Sequence, residues 1–361
     1  MRASSKIRLI AAAALSFSAG PGAIAQPTPP QSLLALSKHD HTLAIVDPHT
    51  LKVIAKAPVG PDPHEVIASA DGKTAYVSIY GGGRYHALSV IDLVAQKALP
   101  DIDTGALNGP HGLAFSGGKL YFTAEGAKAI ARFDPASATI DWIMGTGQNR
   151  THMLYVVPGE NQIYTTNVSS ATVTILEKVA LPPMGPPPGV PPPGSTRGQP
   201  PSQSPPASSP RMDWNETVIP VGQGSEGFDV SPDGRELWTA NAQDGTLSII
   251  DIPAKKVAAT LDAKVYGANR LKFTLDGKHV LISSLRGGDL VVYDAASRTE
   301  WKRVPIGHGA AGILVEPSGA RAFVACTPDN SIAVIDLATF RVVGHIDVGA
   351  EPDGLAWATR P

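Results

Sequence analysis

The sequence predicts an all-β fold: a seven-bladed β-propeller with four-stranded blades, its ring closed by a blade shared between the N- and C-terminal parts of the chain. Three observations carry this. First, Ser225 to Asp251 parses as strand (GFDV), Asp-Gly turn, strand (ELWTAN), polar loop and strand (TLSIID), with a fourth strand near Lys256–Leu261. Second, the unit recurs. First-strand starts align at His64, His111, His152, Glu226, Asn269, Ala311 and Asp353, with spacings of 47, 41, 74, 43, 42 and 42 residues. A period of about 40–45 residues with four strands per unit is a propeller pattern. Third, the seventh unit is split. Glu351 to Trp357 supplies only a first strand, and LLALS (33–37), TLAIVD (42–47) and VIAKAPVG (53–60) supply the other three. Joining them removes the open sheet edges of a linear array.

The elements follow in order. Residues 1–25 read as a secretory signal: Arg2, Lys6 and Arg8 form a basic start, and Leu9 to Phe17 is an apolar run too short to span a bilayer. Ala23-Ile24-Ala25 is a small-residue cleavage pattern. Cleavage before Gln26 would leave a periplasmic or secreted protein. Residues 26–32 read as a flexible leader and 33–361 as one propeller domain. No later stretch approaches the ~18 apolar residues of a membrane helix, so no membrane span is expected. The single long spacing contains Leu181 to Pro210, dominated by Pro, Gly and Ser. Its composition predicts a disordered or polyproline-II-like insertion in blade 3. It joins a third strand to a fourth, on the face opposite the first-strand starts. Its expected role is that of a tolerated surface loop, with a tether to an envelope partner as the sharper alternative.

The whole chain has 30 Lys+Arg and 32 Asp+Glu. Removing the three basic residues of the signal makes it more acidic, which gives no case for nucleic acid. Cys326 is the single cysteine, so no intramolecular disulfide can form. Fingerprints for dinucleotides, phosphate loops, nucleophile elbows and haem attachment are absent. A closed ring has no strand edge to pair, so a monomer is expected.

The candidate chemistry lies where each first strand begins, at the rim of the central channel. Three of the ten histidines, His64, His111 and His152, occupy equivalent places in adjacent blades. Glu226 follows in the next blade, and Asp353 stands on the far side. A second ring, at the end of the second strands, reads Ile79, Glu125, Asn167, Asn241, Ser284, Cys326 and Ser37. Neutral imidazoles with a carboxylate suit a divalent metal ion. The expected ligands are His64, His111, His152 and Glu226, with zinc first and copper, iron or magnesium as alternatives. The bland alternative is that these histidines bond loop carbonyls between blades. Glu125, His111 and Arg84, the last on the glycine-rich loop YGGGRYH (80–86), are the expected catalytic groups. Asp353, Arg270, Asn167 and Asn241 are the expected contacts to a small-molecule ligand on this face.

Two resemblances bear on these residues. Pro232-Asp233-Gly234, Leu237 to Asn241 and Gly245 to Asp251 resemble the YVTN-repeat propeller family, and the likeness covers nearly the whole chain after the signal. It implies the fold, and the family spans binding proteins and enzymes. In blade 2, PHGLAFSGGKLYFTAE (110–125) resembles a blade of streptogramin (virginiamycin B) lyases, with Tyr121 where those enzymes have tryptophan. That resemblance implies acid–base chemistry for His111 and magnesium binding for Glu125 while a lactone linkage is opened. The functional expectation is an exported metal-binding propeller acting as a metal-dependent hydrolase or lyase on a lactone or ester. The alternatives are a non-catalytic ligand- or protein-binding propeller and a metal carrier.

Overall fold

A computed structural model describes residues 26–181 and 211–361; the segment 1–25, read from the sequence as a signal, and nearly all of the Pro-rich insertion lie outside the described residues. Among the described residues, twenty-eight strands form seven antiparallel four-stranded sheets. The chain first lays down β1 (Gln31–Ser37), β2 (Thr42–Asp47) and β3 (Lys52–Pro58). Blade 1 follows as β4 (Pro63–Ala68), β5 (Thr74–Ile79), β6 (Ala87–Asp92) and β7 (Lys97–Asp103). Blade 2 is β8 (Pro110–Ser116), β9 (Lys119–Ala124), β10 (Ala129–Asp134) and β11 (Thr139–Gly145). Blade 3 is β12 (Thr151–Val156), β13 (Gln162–Asn167), β14 (Thr172–Ala180) and β15 (Met212–Pro220). Blade 4 is β16 (Ser225–Val230), β17 (Glu236–Asn241), β18 (Thr246–Asp251) and β19 (Lys256–Leu261). Blade 5 is β20 (Ala268–Phe273), β21 (His279–Ser284), β22 (Asp289–Asp294) and β23 (Thr299–Pro305). Blade 6 is β24 (Ala310–Val315), β25 (Arg321–Cys326), β26 (Ser331–Asp336) and β27 (Arg341–Ile346). Finally β28 (Pro352–Thr359) returns as the innermost strand beside β1.

The closing blade is therefore β28-β1-β2-β3, with Leu33 opposite Trp357 and Ala35 opposite Leu355. The 26–32 segment, expected as a flexible leader, is tied down. Thr28 is buried and its Oγ1 donates to Leu93 O at 2.5 Å, while Gln96 Nε2 donates to Gln26 O at 2.6 Å. Arg360 N–H donates to Pro30 O at 2.8 Å, and Gln31 and Ser32 already belong to β1.

The core lies between blades rather than inside each one. Between the closing blade and blade 1, Leu34, Leu36, Leu43 and Ile45 meet Val66, Val77, Ile79 and Ile91. The second and third strands of each blade are buried on both faces, and outer strands such as β11 and β27 alternate exposed and half-buried residues. Each such fully buried aliphatic side chain stabilises the fold by ~1.5–3 kcal/mol.

The innermost strands carry the feature that builds the site. In all seven blades their pairing with the second strand slips between the first and fourth residues: Pro63/Val66, Pro110/Leu113, Thr151/Leu154, Ser225/Phe228, Ala268/Leu271, Ala310/Ile313 and, in the closing blade, Pro352/Leu355. Every rim position read from the repeat in those blades sits inside this β-bulge. Bulges bend a strand and re-aim a side chain, and here they place the rim residues at the channel. The next residue is glycine in four blades because neighbouring inner strands touch there. A Cβ on Gly112 would lie 2.5 Å from the carbonyl oxygen of His152. Thr123 locks the same junction, taking the Gly112 N–H at 2.9 Å and donating to His152 O at 2.6 Å. Gly112→Ala is expected to destabilise the protein by ~1–3 kcal/mol through overpacking against backbone, read as a lower Tm. An unchanged Tm would contradict this account of the junction.

Candidate functional site at the channel mouth

Two layers of side chains meet at the mouth. The bulges supply His64, His111, His152, Glu226 and Asp353. The first residue past each second strand supplies Lys38, Tyr80 and Glu125: their N–H groups donate to Glu351 O, Asp62 O and Gly109 O, one step beyond the ends of β1, β5 and β9. The second ring expected from the sequence is thus one residue out in blade 2. Ala124, opposite Pro110, takes the place that Ile79, Asn167 and Asn241 hold opposite Pro63, Thr151 and Ser225. The cause is a two-residue turn, Gly117-Gly118, with both residues at positive φ (56° and 77°) between the paired Ser116 and Lys119. Blade 2 is two residues shorter there than its neighbours, which carries Glu125 past the strand end and beside Tyr80.

His152 is the hub. It is 3 % exposed and lies between two carboxylates. Its Nδ1 bonds Glu125 Oε1, and its Nε2 is 2.7 Å from Glu226 Oε2, close but without hydrogen-bond alignment. Arg150 bridges the same two acids, at 3.3 Å from Glu125 Oε2 and 3.7 Å from Glu226 Oε1. Tyr80 O–H donates to Glu125 Oε2 at 2.5 Å. The His111 ring stacks on His152, centroids 3.8 Å apart and 33° from parallel. His111 is 2 % exposed, and its Nδ1 is buried with no hydrogen-bond partner. One donor atom each from His111, Glu125 and His152 lie within 4.8 Å of one another, an arrangement able to hold a metal ion.

His64 stands apart. Its ring is 5.1 Å from that of His111, but Nε2 is 3.0 Å from Lys38 Nζ and 3.1 Å from Asp62 Oδ1. Lys38 also meets Asp353 at 3.4 Å. The metal-ligand atoms that converge are therefore those of His111, His152 and Glu125. His64 belongs to a neighbouring polar cluster, and Glu226 faces the other nitrogen of His152.

The electrostatics follow from burial and pairing. Burial alone would lower the pKa of His152, but the nearby Glu226 charge and the hydrogen bond to Glu125 outweigh it and hold the imidazolium up to about 9. Burial would raise Glu226, but the His152 charge dominates and holds it down at about 2. Glu125 is lowered for the same reasons, with burial opposing and His152 and Arg150 prevailing. His111 moves the other way: burial, then the His152 charge, keep it neutral well below the usual histidine range.

Several expected ligand contacts are spent on the fold. Asn167 and Asn241 are fully buried, and they tie their own blades together rather than line the channel. Asn167 Nδ2 donates to Thr172 Oγ1 (3.0 Å) and Thr174 Oγ1 (2.9 Å), and Asn241 Nδ2 to Thr246 Oγ1 (2.9 Å) and Ser248 Oγ (3.0 Å). Arg270 is buried and pairs with Glu65, the residue after His64 on the innermost strand of blade 1. Arg84 is exposed and its Nε meets only Gly81 O, at 3.4 Å; it does not join the catalytic cluster expected of it. Cys326 is a core thiol whose pKa burial pushes up to about 11. Asp353 does face the mouth, against Lys38 and His64.

Sequence reasoning missed Tyr80's bond to Glu125, Lys38 and Thr123. The findable signal was positional. Tyr80 and Lys38 are the residues immediately after their second strands, and Thr123, Thr166 and Ser283 recur one place before those strands end.

Comparisons with known proteins agree on the fold. The chain is a seven-bladed β-propeller. Residues 202–327, about a third of it, match the family described as the cytochrome D1 heme domain. That stretch holds Glu226 and Arg270 but none of the rim histidines. A functionally unknown protein from Desulfotomaculum acetoxidans superposes with a TM-score of 0.69 at 11 % identity, over 91 % of this chain and 99 % of that one. Dihydro-heme d1 dehydrogenase NirN in complex with DHE gives 0.59 at 15 % identity, over 92 % of this chain and 66 % of that one. A putative 6-phosphogluconolactonase from Bacteroides uniformis gives 0.67 at 16 % identity, over 91 % and 99 %. At such identities the likeness is one of fold. The chain matches no curated protein sequence.

Proposed function

We propose that this is an exported metal-binding propeller whose ion is taken up by His111, His152 and Glu125 at the channel mouth. The observation that carries it is the buried, unpartnered Nδ1 of His111 beside His152 and Glu125. Leaving such a nitrogen without a partner costs ~1–3 kcal/mol, which an ion would offset. Charge supports the reading. Asp62, Glu65, Glu125, Glu226 and Asp353 are tied to only three permanent cations, Lys38, Arg150 and Arg270, so two negative charges remain before the histidines are counted. A divalent cation balances them. Glu226 then backs His152 from its second nitrogen, the outer carboxylate commonly found behind metal-bound histidines.

Two nitrogens and an oxygen suit any first-row divalent ion, zinc included. Three protein ligands leave a position for water or substrate, which fits metal-assisted hydrolysis or elimination on a small lactone or ester. His64 is the acid–base group on the solvent side. Among the described residues no helix is long and apolar enough to cross a membrane; with the signal read at 1–25, this supports export to the periplasm or beyond. The test is equilibrium dialysis of chelator-treated protein against zinc, cobalt, copper and nickel. One ion per chain is expected, and no binding of any of them would overturn the proposal.

A second reading is favoured by the family match at 202–327. The mouth would then hold a tetrapyrrole of the haem d1 type, with a rim histidine as iron ligand. A Soret shift on titration with haem, lost in His64→Ala or His111→Ala, would support it over the first.

A further inference from the structure

We infer that Tyr80 is a positioning residue that limits Glu125 to one metal-facing oxygen and so keeps a coordination position open. The inference rests on the metal reading above and goes beyond it to the residue that sets the ion's coordination.

Glu125 has its two oxygens divided between different duties. Oε1 faces His152, whereas Oε2 accepts from Tyr80 O–H at 2.5 Å and from Arg150 Nε at 3.3 Å. A carboxylate swings freely about its last bond unless both oxygens are engaged. Here the outer oxygen is held by two donors on the side away from His152. Only Oε1 is left for an ion shared with His111 and His152.

Tyr80 is itself held in place. Its ring stands edge-on to His64 (4.8 Å, 66°) and to His111 (5.2 Å, 87°), so the phenol cannot rotate without disturbing both. Its N–H donates to Asp62 O at 3.1 Å. The next three residues, Gly81, Gly82 and Gly83, all have positive φ (57°, 61° and 83°), a run closed to other residues without strain. That turn is pressed against blade 2. A Cβ on Gly109 would come 2.7 Å from Gly83 Cα, one on Gly126 would come 2.8 Å from Gly83 O, and Gly109 N–H donates to Tyr85 O at 2.7 Å. The glycine-rich loop thus clamps the end of β5 to the blade that carries Glu125. The loop that the sequence singled out for Arg84 serves the site through Tyr80 instead.

The phenol O–H is already engaged by Glu125 Oε2. It has no bond to give up to an ion and is not itself a ligand.

The test uses Co2+ as a spectroscopic probe, with azide as the exogenous ligand, in the wild type, Tyr80→Phe, Arg150→Gln and the double variant. The wild type is expected to show the strong visible bands of a low-coordinate site and to bind azide. Tyr80→Phe keeps the ring packing and removes only the donor. It should retain the fold by circular dichroism, shift to the weaker bands of a higher-coordinate ion as Oε2 turns inward, and bind azide about tenfold more weakly or worse. Arg150→Gln should move the same way by less, and the double variant by more. A Tyr80→Phe protein with wild-type bands and wild-type azide affinity would overturn the inference while leaving the metal reading intact. A wild type that takes up no Co2+ would overturn both.

Discussion

Replacing His152 with alanine is expected to destabilise the metal-free propeller by ~3–5 kcal/mol near neutral pH, the cost of leaving buried charge without its partner. No other residue at the mouth is so placed. Both of its nitrogens face carboxylates, and Glu125 and Glu226 are themselves enclosed, with side chains 3 % and 16 % exposed. Arg150 would remain as their shared counter-ion, but at 3.3 and 3.7 Å and 39 % exposed it is a weaker and wetter partner. The second variant makes the account specific. Adding Glu226→Gln to His152→Ala removes one of the stranded charges and should return part of the lost stability. Denaturant unfolding of the four proteins in a double-mutant cycle reads the coupling directly. A loss below about 1 kcal/mol for His152→Ala, with no coupling to Glu226, would mean that the imidazolium pair does not hold the mouth together.

The pH dependence of stability is the second large effect. His152 is raised above the ordinary histidine value to about 9, so its contribution is complete below pH 6.5 and disappears as pH rises through 9. Glu226 is held at about 2, below the ordinary 4.5. Its contribution is complete above pH 4.5 and disappears as pH falls through 2. These are two sides of one ion pair, worth a few kcal/mol once rather than twice. His111 acts in the opposite sense to His152. Buried neutral, it resists protonation, so stability also falls as pH drops below 6.5, where the unfolded chain gains a proton that the folded one refuses. The metal-free protein should therefore be most stable near pH 6–7. Its Tm should fall toward pH 9, and fall again on the acid side before the carboxylates titrate. In His152→Ala the alkaline fall should largely vanish. A wild-type Tm that is flat from pH 6 to 9 would contradict the charge state assigned to His152.

The fold was legible because the repeat is written in turns and periods. Asp-Gly turns at 71–72, 233–234 and 276–277 sit between runs of strand character, and the split seventh unit follows from counting. The three rim histidines were legible for the same reason: they share one register position, and every blade repeats it. Glu125 stands one residue beyond the ring position read for it, because Gly117-Gly118 makes a turn two residues shorter than those of the other blades. Asn167 and Asn241 were misread because strand periodicity shows which positions are inward, not whether an inward amide meets the channel or a threonine of its own blade. Arg84 was favoured on loop length alone, and length does not say where a side chain on a glycine turn points. The bulge is the deeper reason. A local slip in pairing, invisible in hydrophobic pattern, aims His64, His111 and His152 at the mouth alike, and the neighbouring Lys38 and Asp62 then engage His64 apart from the stacked pair.

The most direct test of the proposed metal site is elemental analysis of untagged protein, with His111→Ala, Glu125→Gln and His64→Ala alongside. Close to one transition-metal ion per chain is expected in the wild type and in His64→Ala, and little or none in His111→Ala and Glu125→Gln with the fold retained. Equal metal content in all four, or none in the wild type, would contradict it.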